Sequence, residues 1–477
     1  MASRPPDTHE PQLERKLGFL GNLSITLSFI TPTVSLFLTA SVLLAINGTA
    51  TFLSFALAAI AAIAAAWCFA ELGSSFPVVG GQYSIVMRVL GRPFGFISFV
   101  LFLTLVVFTI SAGALIFGVY LQPVWHSVNI TLVACIMIVI STVISVFGIR
   151  FNARVTGAFL ALELVVIAVV VIVGLANAHQ SVGTLFRLHT YNAAGHALPV
   201  GTGGVIAGIA IALFAYNGFD TAVVFSEETA GVRRNIGRSV MTACGIAVVA
   251  ELVAVAAIIL GAPSLSKMAT ASAPISYVLN ADSGSTLTDI VSIGVALALF
   301  NAIIASLLAM GRVLYSSARD NAWPQPLNGW LASIHPRFRT PWIATIVIGV
   351  ACTVLTALSN IATLVTFVSV VLCVLYALIG ISALVSRFTQ RNLSRPYKMP
   401  MWPVPVLVAL VGVGLTLSKQ KGSDLVIVGC IIGGAAIYYV VYLMSRPKTH
   451  WTLRAVLTPP EEEDEVPDPP VSVGVRL

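Results

Sequence analysis

Apolar residues follow one another in long runs along the chain, and short polar segments separate the runs. A run of about 20 apolar residues is long enough to cross the ~30 Å hydrocarbon core of a bilayer as an α-helix. The runs lack the ten-residue alternation of barrel strands, and backbone groups in lipid must be satisfied within one segment, so the pattern predicts helices. The twelve predicted spans are 18–45, 52–76, 93–121, 129–148, 155–177, 203–228, 240–262, 288–318, 342–358, 361–385, 402–418 and 423–444.

Composition supports a membrane protein and excludes several other classes. Hydrophobic residues make up 57% of the 477 residues, charged residues only 9%, and the mean hydropathy is +0.95. A soluble domain carries roughly 25% charged residues. This composition excludes disordered, collagenous and disulfide-scaffold proteins. Nucleic-acid binding is excluded as well, because the basic residues behind the net charge of +7 lie in short loops between apolar runs. The six cysteines lie inside apolar runs without metal-binding spacing, so neither a metal nor a cofactor is expected.

The distribution of Lys and Arg predicts the orientation in the membrane. If the N-terminus is cytoplasmic, 21 of the 26 basic residues lie on the inside, 4 lie outside, and Arg312 lies within a span. Such a bias across short loops sets the topology. Both termini are therefore expected in the cytoplasm, in a plasma or inner membrane, with residues 1–17 as a polar N-terminal tail and 445–477 as a disordered, acidic, Pro-rich tail.

Two predicted spans carry matched interruptions. Span 1 contains Ser28–Ser35 with Pro32 at its middle, and span 6 contains Phe214–Asp220 with Asn217 and Gly218 at its middle. Proline removes a helical donor, and Asn-Gly favours turns. Each interruption alone could be a kink or a packing contact. Paired interruptions in corresponding positions indicate an inverted-repeat transporter with its site near the membrane midplane.

The spacing of the interruptions defines the two repeats. They lie five spans apart, so the corresponding halves enter the membrane from opposite sides. The second span of each half is followed by a longer, weakly helical loop, Pro77–Arg92 and Pro263–Thr286. The predicted fold is all-α, a twelve-helix domain over 18–444. Its five-plus-five inverted repeats cover about 18–177 and 203–385, followed by two extra helices over 402–444.

Several short motifs share the order and placement of motifs in one known superfamily. They are Ala70-Glu71-Leu72, Phe76-Pro77, Gly80-Gly81-Gln82-Tyr83, Glu227-Glu228, Asn235-Ile236, Arg238, Ala309 to Tyr315, Ala318-Arg319-Asp320, Trp323-Pro324, Arg339-Thr340-Pro341 and Arg395 to Pro400. Together they resemble the amino acid–polyamine–organocation superfamily. The resemblance implies a twelve-helix permease that moves amino acids or related amines by alternating access.

The first interruption departs from the pattern of many relatives, which carry Gly-Ser/Ala-Gly there. This chain has Thr31-Pro32-Thr33-Val34-Ser35 without glycine, and looks more like the branch of γ-aminobutyrate, choline and other amine permeases. The expected function is proton-coupled uptake of amino acids or related amines. An amine, polyamine or choline exchanger and a transporter-like membrane sensor remain the alternatives. No nucleotide-binding loop or nucleophile–base pair suggests an enzyme or an ATP-driven pump.

The candidate substrate site lies between the two interruptions. A half-helix C-terminus offers carbonyls to an ammonium, and a half-helix N-terminus offers amides to a carboxylate. Hydroxyl groups of the first interruption either contact substrate or cap the broken ends, and aromatic rings of the second either close the pocket or pack. Thr33→Val and Tyr216→Ala are expected to remove binding. The full set is Ile30, Thr31, Thr33, Val34, Ser35, Phe214, Tyr216, Asn217, Gly218, Phe219 and Asp220.

Charged residues near the spans suggest caps, gates and coupling. Asp220 most simply caps the second half of span 6, with a direct bond to a substrate ammonium as the alternative. Arg312 is expected to pair with Glu71 or Glu228 across an inner gate. Glu251, in span 7, is a weaker functional candidate.

Glu163 is the candidate proton-coupling residue. It lies in span 5, about eight residues or roughly 12 Å from the predicted cytoplasmic end. A charged group at that depth is costly, which favours its protonated form and a position facing a cavity or a partner. Some proton-coupled members of the superfamily carry a lysine in this helix, and the resemblance implies that Glu163 is its carboxylate counterpart. A static, hydrogen-bonded glutamate is the alternative. Substrate, proton and surrounding lipids are the expected partners.

Overall fold

The fold is almost entirely helical. The computed structural model describes residues 17–453 apart from 77–79, 122–126, 128, 193, 272, 360, 421 and 447–449, so most of both predicted tails lies outside the described residues. The α-helices are α1 (Phe19–Ile30), α2 (Pro32–Val34), α3 (Ser41–Asn47), α4 (Ala50–Ser75), α5 (Gln82–Leu90), α6 (Arg92–Leu121), α7 (Ile130–Val146), α8 (Ile149–Ala176), α9 (Thr202–Ala215), α10 (Thr221–Val224), α11 (Val232–Gly261), α12 (Leu265–Thr270), α13 (Pro274–Arg319), α14 (Gln325–Leu331), α15 (Trp342–Leu358), α16 (Ile361–Thr389), α17 (Val404–Leu417) and α18 (Gly422–Tyr438).

Many of these helices are long and apolar enough for a bilayer. Within the described residues, eight helical stretches meet both criteria: Phe19–Asn47, Ala50–Ser75, Arg92–Leu121, Phe151–Ala176, Arg234–Gly261, Pro274–Arg319, Phe367–Thr389 and Gly422–Leu443. Shorter apolar helices are α7, α9, α15 and α17. Each overlaps a span predicted from the sequence. The chain is a multi-pass α-helical membrane protein.

The first apolar stretch is broken at Thr31, which we call the first break. Thr31 has φ 52° and ψ 69°, a left-handed conformation that a threonine rarely adopts, and its hydroxyl donates to the Ser28 carbonyl at 2.8 Å. Pro32 follows without an N–H, and a π-helical turn over Ser35–Ala40 leads into α3. Such turns are frequent at functional sites. The interruption predicted around Pro32 is therefore a true break in the helix.

The second break lies between α9 and α10, at residues 216–220. Gly218 has φ 120°, and a Cβ atom there would lie 2.8 Å from Phe29 Cδ1 and 3.1 Å from Ile30 Cα. Only glycine allows both this conformation and this approach of the two chains. The two breaks thus touch, and they bring the middles of both interrupted stretches to one place in the bundle.

The loops that follow the predicted spans 2 and 7 form short helices. The first contains α5, and the second contains α12 and the beginning of α13, which changes direction at Gly284. Before α9, strand β1 (His189–Tyr191) pairs antiparallel with β2 (Ala197–Pro199). The sequence did not predict this hairpin, because two three-residue strands in a polar loop leave no period-2 pattern.

The core around the breaks is built by a few helices. The central helix α11 packs against α4 and α8, while α13 packs against α6 and α8. By contrast, α18 is the least buried of the long apolar helices. At the end of the described chain, Trp451 is fully buried and stacks on Tyr83 with ring centroids 5.2 Å apart. The Trp451 Nε1–H donates to the carbonyl of Arg92, which ties this segment to the start of α6.

Candidate substrate-binding site

A cavity lies where the two breaks meet, with α6 and α13 as its other walls. Its position follows from the fold, because the two breaks are in contact there. The residues that line it are Phe29, Ile30, Thr31, Val34, Ser35, Leu38, Thr39, Thr109, Ile110, Gly113, Phe214, Asn217, Leu299, Ala302, Ile303 and Ser306.

The polar groups of the cavity are neutral. None of the described lining residues carries a charged side chain; the polar ones are hydroxyl residues and Asn217. The backbone supplies a further acceptor. In an unbroken helix the Phe29 carbonyl would accept the Thr33 N–H, but that N–H donates instead to Glu163 Oε1 at 3.0 Å. The Phe29 carbonyl loses its helical donor beside the cavity and can accept a hydrogen bond from a ligand ammonium.

Asn217 offers a donor from the second break. Its Oδ1 accepts a hydrogen bond from the Tyr376 hydroxyl at 3.1 Å, which fixes the orientation of the amide. The Nδ2 group remains as a donor for a ligand oxygen. The cavity therefore combines an acceptor from the first break with a donor from the second, an arrangement suited to a small zwitterion.

Six of the eleven candidate substrate residues line the cavity: Ile30, Thr31, Val34, Ser35, Phe214 and Asn217. The remaining five, Thr33, Tyr216, Gly218, Phe219 and Asp220, lie behind its wall. Gly218 occupies the contact between the two breaks. The other four make specific contacts elsewhere, and their contact with substrate stays a prediction.

Thr33 points toward α8. Its hydroxyl donates to the Glu163 backbone carbonyl at 3.1 Å, in addition to the bond from its N–H to the Glu163 side chain. Glu163 is 1% exposed, and its second oxygen, Oε2, has no hydrogen-bond partner. The threonine therefore joins the first break to the candidate coupling residue.

Tyr216 and Phe219 pack on the outer side of the second break. The Tyr216 hydroxyl donates to the Phe55 carbonyl at 3.2 Å, and the two rings meet edge to face at 5.8 Å. Phe219 packs against Phe69 at 5.8 Å and Tyr376 at 5.9 Å. Both side chains are fully buried, Tyr216 against α4 and Phe219 against α4 and α16.

Asp220 stands at the N-cap position of α10, but its carboxylate makes no capping hydrogen bond. One oxygen accepts from the Gln82 side-chain amide, and the other has no partner. The expectation of a simple cap was wrong, since Gln82 competes for the carboxylate. This contact gives the Gly80-Gly81-Gln82-Tyr83 motif a structural role, because it fastens α5 to the second break.

A buried ion pair joins α13 to the segment that follows α10. The Arg312 guanidinium donates through Nε and Nη2 to both carboxylate oxygens of Glu228, with 2.9 Å for the second bond. The Cζ atom of Arg312 also lies 5.0 Å from the ring centre of Phe225. Near it, the Leu17 N–H donates to the Glu228 carbonyl at 2.8 Å. The start of the first stretch, α13 and the segment after α10 are thereby held together.

Glu71 does not pair with Arg312, so that alternative was wrong. Its carboxylate accepts from Arg387 at 2.5 Å, from Arg395 at 3.1 Å and from the Met399 N–H at 2.8 Å. The end of α4 is thus bound to the last turn of α16 and to the segment after it. Two of the sequence motifs, around Glu71 and Arg395, meet in this contact.

Sequence reasoning missed the walls that α6 and α13 contribute. Thr109, Gly113 and Ser306 lie inside uniformly apolar spans, and small or hydroxyl residues are common in any membrane helix. Their spacing gave no signal that separates cavity lining from helix packing.

Comparison with known proteins now bears on this site. A family model described as "Amino acid permease" matches residues 17–445. The chain belongs to the amino acid permease family. This match confirms the resemblance to the amino acid–polyamine–organocation superfamily, while the suggested branch stays a prediction.

Curated relatives of the permease have different substrates in their names. It is 25% identical over 413 residues to a methylthioribose transporter of Bacillus subtilis, covering 82% of this chain and 86% of the relative. It is 25% identical over 412 residues to a branched-chain amino acid permease of the same bacterium, covering 81% and 84%. It is 27% identical over 376 residues to cationic amino acid transporter 4 of Mus musculus, covering 74% and 57%.

These similarities set the general function. The permease is a multi-pass membrane transporter for amino acids or related compounds, and the family points to transport, not to enzymatic catalysis. The similarities do not distinguish among substrates, so the substrate has to be inferred from the chemistry of the cavity.

Proposed function

We propose that the permease is a secondary active transporter that takes up a small neutral amino acid together with a proton by alternating access. In this proposal twelve helices span the plasma membrane, repeats over 18–177 and 203–385 have opposite topology, 402–444 adds two helices, and both termini are cytoplasmic. The contact between two broken stretches five predicted spans apart supports it.

The uncharged cavity is the observation that carries the substrate proposal. A cationic side chain would need a carboxylate in a site largely removed from water, and none of the described lining residues supplies one. Ile30, Val34, Leu299 and Ile303 offer an apolar wall for an aliphatic side chain. The Phe29 carbonyl would receive the ammonium, and Asn217 would bind the carboxylate. The likeness to a branched-chain amino acid permease agrees with this chemistry.

We assign proton coupling to Glu163. Its carboxylate is buried, binds the backbone of the first break through Thr33, and retains one free oxygen. Ionised, it is a strong acceptor for the Thr33 N–H; protonated, it is a weaker one. Proton uptake would therefore loosen the first break from α8, which is the kind of change that alternating access requires.

The pair of Arg312 and Glu228 would act as the inner gate. It joins α13 to the segment after α10 on the side of the breaks where Leu17 also bonds to Glu228. Opening toward the cytoplasm would then require this buried pair to separate and become hydrated.

A ligand screen with the purified permease tests the substrate proposal. A specific ligand stabilises the folded state by mass action, so leucine, isoleucine or valine should raise Tm in a concentration-dependent way. Arginine, lysine, choline, γ-aminobutyrate and methylthioribose serve as the competing arms. Stabilisation by lysine or arginine alone would contradict an uncharged site.

Uptake into proteoliposomes then separates a carrier from a sensor. With the ligand found in the screen, accumulation should follow an imposed pH gradient, acidic outside. Binding without accumulation in any gradient would favour the sensor.

A further inference from the structure

A short segment after the last long helix, residues 450–453, packs against the helical bundle. Its Trp451 is the largest fully buried side chain of the described residues. The helix that leads to this segment, α18, is by contrast the least buried of the long apolar helices. The segment therefore does not simply continue the packing of α18, and contacts of its own hold it in place.

Hydrogen bonds and ring contacts bind this segment to α5 and α6. The Arg92 guanidinium donates through Nε to the Trp451 carbonyl at 3.1 Å and through Nη2 to the His450 carbonyl. The carbonyl of Arg92 accepts the Trp451 Nε1–H at 2.9 Å. The indole ring stacks on Tyr83 of α5, with centroids 5.2 Å apart, and meets Phe96 of α6 edge to face at 5.3 Å. Loss of the indole would leave a cavity between α5 and α6.

The helix against which the indole stacks, α5, contacts both sides of the proposed inner gate. On one side, the Tyr83 hydroxyl donates to the Ser316 hydroxyl at 2.7 Å, one turn beyond Arg312 on α13. On the other side, the Gln82 side-chain amide donates to Asp220, directly before α10. Opening of the gate moves α13 relative to α10 and the segment after it. One of these two contacts of α5 then has to break.

The backbone before α5 also lies directly against α10. A Cβ atom at Gly81 would lie 2.8 Å from Cγ2 of Val224, the last residue of α10. Glu228 of the gate follows Val224 by four residues. Because of this close contact, a shift of α5 acts on the segment that carries the gate glutamate.

We propose that residues 450–453 form a latch that restrains α5 and thereby keeps the proposed inner gate closed. The proposal rests on the proposed transport function and deepens it by adding a segment that controls the rate of opening. With Trp451 stacked on Tyr83, α5 is held against α6 and α13, and the ion pair of Arg312 and Glu228 is intact. When the latch leaves, α5 loses this support, and α13 can separate from the segment after α10.

A latch and a purely structural contact predict different effects when the indole is removed. A purely structural contact would lower the stability of every state and leave the balance between closed and open gate unchanged. A latch stabilises the closed state selectively, so its loss shifts the population toward the open state. Where gate opening limits turnover, the rate of transport then rises although the stability falls.

Hydrogen–deuterium exchange in the purified full-length permease tests the latch without any substrate. The Ala230 N–H donates to the Leu17 carbonyl at 2.9 Å beside the gate glutamate, so its exchange reports on gate opening. Trp451→Ala should accelerate exchange of the peptide that contains Ala230 roughly threefold or more. Trp451→Phe keeps an aromatic ring in the cluster and should stay close to wild type. Trp330→Ala removes an indole that is 66% exposed and is the matched control, with no change.

Substrate counterflow in proteoliposomes provides the second readout. Trp451→Ala should raise the maximal rate roughly twofold or more, with KM close to that of wild type. A lower maximal rate would contradict the latch. Faster exchange that is confined to α5 and the start of α6, with unchanged exchange at Ala230, would overturn it as well.

Two further outcomes keep the latch and the proposed transport function apart. If exchange at Ala230 accelerates in Trp451→Ala but the wild type transports no amino acid, the latch exists and the proposed transport function is wrong. If Trp451→Ala does not fold, Arg92→Gln decides, because it removes both guanidinium bonds to residues 450 and 451. Arg92→Gln should accelerate exchange at Ala230 in the same direction, and no acceleration would overturn the latch.

Discussion

Glu163 binds the Thr33 N–H with one oxygen and has no partner for the other, so a change in its protonation acts directly on the first break. Glu163→Gln imitates the protonated carboxyl and keeps its size. We expect normal expression, a Tm within a few degrees of wild type and near-normal substrate affinity, but at least tenfold less accumulation in response to a pH gradient. Uptake into proteoliposomes with and without the gradient measures the loss.

The Thr33 hydroxyl supplies the control for this experiment. Thr33→Ser keeps both hydrogen bonds to Glu163 and should retain coupled uptake. Continued pH-driven accumulation in Glu163→Gln would show that the coupling group lies elsewhere.

At the residue scale, the sequence identified candidate residues where a charged side chain interrupts an apolar run. A carboxylate inside an apolar run stands out, so Glu163 could be singled out before its contacts were known. The direction of Thr33 and Tyr216 could not be deduced in this way. The direction of Thr33 follows the left-handed turn at Thr31, with φ 52°, and that of Tyr216 follows its contacts with Phe55 on α4. Spacing along the chain encodes neither.

At the scale of elements, the contact between the two breaks depends on one glycine. Gly218→Ala would bring a methyl group within 2.8 Å of Phe29 and enforce a positive φ on alanine. We expect a loss of about 2 kcal/mol or more of stability and a much weaker response to ligand, because the two breaks must separate. Thermal unfolding in detergent with and without ligand measures both effects.

Gly203→Ala is the matched control for that substitution. It lies on α9, the same helical stretch that leads to the second break, and a Cβ atom there meets nothing within 4 Å. Alanine in that helix should be neutral or stabilising by up to about 1 kcal/mol. Equal effects of the two substitutions would mean that the contact at Gly218 is not important.

The ion pair between α13 and the segment after α10 gives a second prediction at this scale. Arg312→Ala leaves the buried Glu228 carboxylate without its bidentate partner, which should lower stability by about 3–5 kcal/mol. The double variant Arg312→Met with Glu228→Gln should recover much of this loss, because no unpaired charge remains.

Thermal or denaturant unfolding of the single and double variants tests the coupling. Arg154→Ala, at an exposed arginine on α8, should change stability by less than about 0.5 kcal/mol. A double variant as unstable as Arg312→Ala would contradict the buried-charge explanation.

The elements themselves were predictable to different degrees. Long apolar runs gave the positions of α4, α6, α11 and the second part of α13, because about 20 residues must cross the hydrocarbon. The short helix α5 and the β1–β2 hairpin were not specified by such a rule. Their positions follow from tertiary contacts, such as Gln82 with Asp220 and the Thr49 N–H with the His189 carbonyl.

At the scale of the whole molecule, the orientation in the membrane determines what the ion pair of Arg312 and Glu228 can gate. The last turn of α16 carries Arg387 and the segment from α16 to α17 carries Arg391, Arg395 and Lys398, whereas the only Lys or Arg in the segment from α8 to α9 is Arg187. Short loops rich in Lys and Arg lie on the cytoplasmic side of the membrane. We therefore expect the first segment inside and the second outside.

Single cysteines at two exposed positions test this orientation. In a background with Cys430→Ser, which removes the exposed native cysteine, His196→Cys should react with an impermeant maleimide on intact cells. Asn392→Cys should react only after the membrane is permeabilised. Both positions lie in loops, so a difference in labelling reports sidedness and not burial. The reverse pattern would place Glu228 and Arg312 toward the outside, and the pair would then close the outer entrance of the transporter.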